Sequence, residues 1–150
     1  MTTCRRYWRS GEGRKNQARS AWQGIEVLCR WKALLRTARD LEALAELKYG
    51  NDLAIIAIHA AIAYTDALTT AYREVKSTDG DHRRAADLLV HALGRRADPD
   101  QIERLRSILD AKTHASYSGD YYSLAQGRGI LRETEVFVAW AEDLFRNRPI

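Results

Sequence analysis

Residues 1–98 contain no proline, and the only two in the chain are Pro99 and the penultimate Pro149. Proline removes a backbone donor and breaks a helix interior, so almost the whole chain is free to be helical. The apolar residues use that freedom. From about Gln17 to Lys48, Trp22, Ile25, Leu28, Trp31, Leu35, Ala38, Leu41 and Ala45 recur at spacings of three and four, the period of an amphipathic helix. Residues 52–76 repeat the pattern on two faces. One face is Ile55, Ile58, Ile62, Thr65, Thr69 and Tyr72, and the other is Ile56, Ala60, Ala63, Ala67 and Ala71. A helix apolar on two faces belongs in the middle of a bundle. Ala85, Leu88, Leu89, Ala92 and Leu93 predict a third helix over 82–94, Ile102, Leu105, Ile108 and Leu109 a fourth, and Ile130, Leu131, Phe137, Val138, Ala141, Leu144 and Phe145 a fifth.

Stop and start signals divide these segments. Gly50 suits a left-handed helix end, and Asn51 or Asp52 suits the cap of the next helix. Ser77-Thr78-Asp79-Gly80 reads as a turn, with Asp81 as the following cap and Gly94 as the stop. Asp98-Pro99-Asp100-Gln101 combines a cap, a proline at the first helical position and a glutamine three residues on. Ser118-Gly119-Asp120 breaks the fourth helix, and Ser123-Leu124-Ala125-Gln126 is a further capping box. Gly127 and Gly129 each cost the fifth helix about 1 kcal/mol relative to alanine. The expected fold is all-α: an antiparallel up-and-down bundle of four to five helices over residues 17–147. A polar, basic segment, residues 1–16, precedes it and is expected to be disordered.

Charge is unevenly distributed. Residues 1–36 hold nine Lys and Arg against Glu12 and Glu26, while the other 114 residues hold 15 basic and 18 acidic ones. The isoelectric point of 9.2 therefore comes from the N-terminal segment. Arg5, Arg6, Arg9, Arg14 and Lys15, near Trp8 and Trp22, are candidate nucleic-acid contacts; a solvated tail is the competing reading. Cys4 and Cys29 are too few for a disulfide framework. No export signal is convincing, and the most apolar run, 53–72, carries His59 and Asp66 where a membrane span would be driest. These features point to a soluble cytoplasmic protein with no membrane role.

Phosphate loops, dinucleotide fingerprints, HExxH and nucleophile elbows are all absent. What remains are polar residues on apolar faces. His59 and Asp66 are seven apart and so project to the same side of their helix, together with Ile55 and Ile62. The fourth helix's stripe ends on Lys112, which either snorkels to water or meets Asp66 as a buried pair. His114, Tyr117, Tyr121 and Tyr122 follow closely. A structural role, fixing helix register or packing a loop, is the alternative for each.

Residues 54–76, beginning Ala-Ile-Ile-Ala-Ile-His-Ala-Ala-Ile-Ala-Tyr-Thr-Asp-Ala-Leu, then Gly80-Asp81-His82-Arg83, Leu109-Asp110-Ala111-Lys112 to Tyr117, and Phe137-Val138-Ala139-Trp140 together resemble a HEPN domain, a nucleotide-binding helical bundle of higher eukaryotes and prokaryotes. The resemblance spans about residues 35–147. It implies a bundle that often forms homodimers. In active members an Arg-x4-6-His motif cleaves RNA without metal in a cleft between protomers. Here Lys112 falls where that arginine is expected and Tyr117 where the histidine is. Arg106 precedes His114 by eight residues, outside the motif's spacing. Lysine lacks the guanidinium fork, and tyrosine titrates near 10.

The reading that follows is a non-catalytic module binding RNA or a nucleotide through His59, Asp66, Lys112 and Tyr117, with His82 a weaker candidate and no metal or cofactor. Two rivals stand beside it. One is a ribonuclease using Lys112, His114 or Tyr117. The other is a structural partner in a toxin–antitoxin pair, opposite a nucleotidyltransferase-type protein.

Overall fold

A computed structural model describes residues 32–43, 49–73, 83–117 and 121–147. None of these is in a strand. Five helices account for nearly all of them: α1 over 32–43, α2 over Gly50–Arg73, α3 over Arg83–Leu93, α4 over Pro99–Tyr117 and α5 over Leu124–Arg146. The expected tail 1–16, the start of the first helix near Gln17, the turn at 77–80, the Asp81 cap and the break at 118–120 lie outside the described residues.

The centre of the bundle is α2, which packs against α3, α4 and α5. It is long and apolar enough to cross a membrane by composition, but 67% of its most apolar window is buried inside the protein. Seven of its buried positions are alanine, namely 54, 57, 60, 61, 63, 67 and 71. Short side chains let three neighbours approach one helix. Leu53, Ile58, Tyr64 and Leu68 fill the space with Leu89, Leu105, Leu131 and Phe137 from the other helices. Thr65 and Thr69 are also buried, and their hydroxyls donate to backbone carbonyls of their own helix, those of Ala61 and Asp66.

Long-range contacts set the direction of each helix. Gly50 lies against Gly127, Tyr64 bonds Glu142, and Tyr72 bonds the Leu144 carbonyl. All three rise together along the chain, so α2 and α5 are parallel. Arg106 pairs with Asp87, which folds α3 and α4 into an antiparallel hairpin. Arg104 pairs with Glu133, which sets α4 antiparallel to α5. Lys32–Glu142, Arg39–Glu135 and Glu42–Arg128 run α1 antiparallel to α5. The simple up-and-down alternation expected from the sequence therefore fails at one step, where α3 runs in the same sense as α2.

Helix ends match the sequence signals in some places and depart in others. Ser123 accepts from the Gln126 N–H while Gln126 accepts from the Ser123 N–H, a complete capping box. At α4, Asp98 accepts from the N–H groups of Asp100 and Gln101, but Gln101 does not reach back, and its Oε1 is buried without a partner. Gly94, at φ 55°, closes α3 and leads into a single 3-10 turn, Gly94–Arg96.

The left-handed cap expected at Gly50 is absent. Gly50 is the first residue of α2 and is buried, so Asn51 and Asp52 fall inside the helix rather than capping it. Gly50 is required for a different reason. A Cβ there would lie 2.3 Å from the Tyr122 carbonyl oxygen, and a Cβ on Gly127 would lie 2.4 Å from the Gly50 carbonyl oxygen. Two parallel helix starts meet backbone to backbone at this point.

One buried hydroxyl stands apart from the others. Thr134 is fully enclosed on α5 and its Oγ1 has no partner. An unpaired buried hydroxyl costs about 1–3 kcal/mol, so Thr134→Val, which keeps the shape, is expected to stabilise the fold by about 1 kcal/mol. Thermal melting checks this, and a lowered Tm would contradict it.

Candidate functional site

Two basic side chains on the neighbouring helices α2 and α4 lie within electrostatic range of each other. His59 comes from the middle of α2, and Lys112 from the C-terminal half of α4. The lysine's stem is half-buried, and loss of solvent holds its pKa below the ordinary lysine range. His59 is on the exposed side of α2, yet it is close enough to protein that desolvation lowers its pKa. The Lys112 ammonium lowers it further. Both groups are therefore pushed toward the neutral form. Among the described residues, no ion pair includes either of them.

Neighbouring features hold this seam in place. Ile55 and Ile62, one turn either side of His59, are half-buried against the core. The Tyr122 hydroxyl donates to the Ala111 carbonyl over 3.3 Å, tying the turn that carries Lys112 to the approach of α5. Burial raises the Tyr122 pKa, which keeps that phenol a donor. Tyr121, by contrast, is 86% exposed. The tyrosine cluster seen in the sequence thus splits into one anchor and one solvent-facing ring.

Of the expected site residues, His59 and Lys112 lie within electrostatic range of each other. Asp66 shares the His59 side of α2, half-buried and about 10 Å further along the helix. Lys112 acts electrostatically on His59. The side chains of His114 and Tyr117 lie outside the described residues, as do Arg5, Arg6, Arg9, Arg14, Lys15 and His82. Among the described residues, no three His, Cys, Asp or Glu side chains are placed to hold a metal ion.

Sequence reasoning missed a second polar assembly. Tyr64, fully buried at the centre of α2, donates to Glu142 over 3.0 Å, and Lys32 reaches the same carboxylate oxygen over 3.2 Å. Arg39 holds Glu135 one heptad back at 2.6 Å. The seven-residue spacing of Lys32 and Arg39 on one side, and of Arg128, Glu135 and Glu142 on the other, was the available signal. Lys32, one of the basic residues near the N-terminus, is thus matched by an acid of the bundle.

Comparison with known proteins returns no matching family model, no matching curated protein and no matching solved structure.

Proposed function

We propose that the protein is a HEPN-like helical module that binds RNA or a nucleotide, without catalysis, at the seam between α2 and α4. The observation that carries this reading is the electrostatic effect of Lys112 on His59 across the packing of α4 on α2. The Lys112 ammonium disfavours charge on His59, and loss of solvent disfavours charge on both groups. A phosphate placed there would accept hydrogen bonds from both and reverse the repulsion. The resemblance of residues 35–147 to HEPN domains supports the same ligand class and a homodimer as the working form. Lysine in place of the motif's arginine retains a charge for a phosphate but not the bidentate fork.

The test uses the full chain, with adenosine monophosphate and a short RNA as probes. Lys112→Gln and His59→Gln are each expected to weaken binding about tenfold, the size of one charge-assisted hydrogen bond, with unchanged helical content. Ligand is also expected to raise the His59 pKa toward or above 6.5, followed by NMR, and Lys112→Gln is expected to diminish that rise. Affinity unaltered in the double variant removes the site. RNA incubated in chelator is expected to stay intact. Cleavage that disappears in His114→Ala or Tyr117→Ala would replace this reading with a ribonuclease.

A further inference from the structure

Three sides of α5 are taken up within the protein. Leu131, Val138 and Ala141 are buried in the core. Glu135 and Glu142 meet Arg39 and Lys32 of α1, and Glu133 meets Arg104 of α4 on the other flank. The fourth side points away from the core. Val136 follows the fully buried Thr134 by two residues, about 200° round the helix. On this side lie Arg132, Val136, Ala139 and Asp143, all exposed, at spacings of four, three and four. That is the spacing of a seam between two helices.

The middle of the face is apolar and its ends are charged. Val136 is 45% exposed, the more exposed of the two large aliphatic side chains open to solvent among the described residues. Trp140, one turn on, is half-buried, with its ring tilted against Phe137 at 5.7 Å between centroids. Arg132 stands at one end and Asp143 at the other, about 16 Å along the helix. Among the described residues, no ion pair includes Arg132. Asp143 pairs with Arg146, three residues on, at 3.6 Å, and both side chains are more than half exposed. An exposed pair of that kind contributes little and leaves the carboxylate open to a second cation.

This order of charge is complementary to itself. A second copy of α5 can lie antiparallel across a two-fold axis level with the peptide bond between Phe137 and Val138. Val136 then falls on the partner's Ala139, and Arg132 on the partner's Asp143, and the symmetry makes each contact twice. Valine against alanine suits the close approach of two packed helices. A parallel pairing would set Arg132 on the partner's Arg132 and Asp143 on the partner's Asp143, and such like-charge contacts are costly.

We propose that the outer face of α5 is a homodimer interface, an antiparallel helix pair centred on Val136 and Ala139 and framed by two Arg132–Asp143 ion pairs. This rests on the homodimeric form proposed above and gives it a surface. The self-complementary charge order, rather than the HEPN resemblance, identifies the occupant. No residue of the α2–α4 seam takes part, so each protomer keeps its own seam. A face of about three turns is small for a permanent interface, and the dimer dissociates on dilution.

Sedimentation equilibrium of the full chain over a range of concentrations is the test. The parent is expected to pass from monomer to dimer as concentration rises. Val136→Glu brings carboxylates to the centre of the face and is expected to weaken association by about tenfold or more. Its melting temperature in dilute solution is expected to match the parent's, because the valine is already exposed in the protomer. Arg132→Asp makes both flanking pairs repulsive, as does Asp143→Arg, and each is expected to weaken association about tenfold. The exchange Arg132→Asp/Asp143→Arg restores opposite charges across the axis and is expected to recover the parent's affinity. Val90→Glu, at an exposed valine of α3, is the control. A monomer at every concentration overturns the interface, and so does a dimer weakened as much by Val90→Glu. A dimer indifferent to Val136→Glu also overturns it, while leaving a homodimer built on another surface. Single charge variants without effect, or an exchange variant no better than they are, overturn the antiparallel register. Adenosine monophosphate is expected to bind the parent and Val136→Glu alike, so failure of the interface and failure of the seam are read separately.

Discussion

Gly127→Ala is expected to destabilise the bundle by about 3 kcal/mol or more, at the upper end of the cost of overpacking. The new methyl would sit 2.4 Å from the Gly50 carbonyl oxygen. That atom is backbone at the start of a buried helix, so no side-chain rotation relieves the clash. Gly50→Ala meets the same wall from the other side, 2.3 Å from the Tyr122 carbonyl oxygen. Only moving α2 away from α5 makes room, and this is the principal contact of the central helix. For a domain whose whole stability is about 5–15 kcal/mol, the melting temperature is expected to fall by roughly 10 °C or more. Gly129→Ala supplies the contrast. Nothing lies within 4 Å of a Cβ there, so the gain in helix propensity is unopposed and worth up to about 1 kcal/mol. Melting curves of the variants decide the matter. A Gly127→Ala protein as stable as Gly129→Ala would refute the close helix contact.

Alkaline pH is expected to unfold the protein through Tyr64. Burial raises the Tyr64 pKa most, the Glu142 carboxylate raises it further, and the hydrogen bond donated to that carboxylate adds to both; Arg39 opposes them in part. The unfolded chain releases the phenolic proton near pH 10, whereas the fold retains it. The stabilising effect is therefore whole below pH 10 and is lost as pH rises beyond it, at up to about 1.4 kcal/mol per pH unit. Tyr64→Phe removes this dependence and costs about 1 kcal/mol at neutral pH, the net contribution of one hydrogen bond. Denaturant titrations between pH 9 and 12 are expected to show the parent losing stability more steeply than the variant. Tyr122, also raised by burial, is present in both and cancels. Parallel curves would show that Tyr64 is not held as described.

Much of the local structure was written in short windows of sequence. The double apolar face of residues 52–76 marked the central helix, and α2 occupies that position. Ser123 and Gln126 announced a complete capping box, because both partners lie three residues apart in one turn. Asp98-Pro99 announced the start of α4, and Gly94 the end of α3. Lys112 stood out as a cation ending an apolar stripe, and His59 as an imidazole among isoleucines.

The pairings between distant segments were decided only by the tertiary structure. Gly50 read as a helix end from its neighbours in sequence, but its role depends on Tyr122 and Gly127, more than 70 residues away. Lys112 offered two environments on paper, water or Asp66, and packing of α4 on α2 brings its ammonium within electrostatic range of His59. The charged residues of α1 and α5 carried a legible seven-residue spacing, yet nothing in that spacing says that Tyr64 lies beneath Glu142. The physical reason is one of range. Hydrogen-bond caps and apolar period act between residues a turn apart, so the chain states them locally. Helix direction, close backbone contact and the electrostatic coupling of two basic groups arise from how whole faces fit together, and the sequence alone determines the faces without naming their partners.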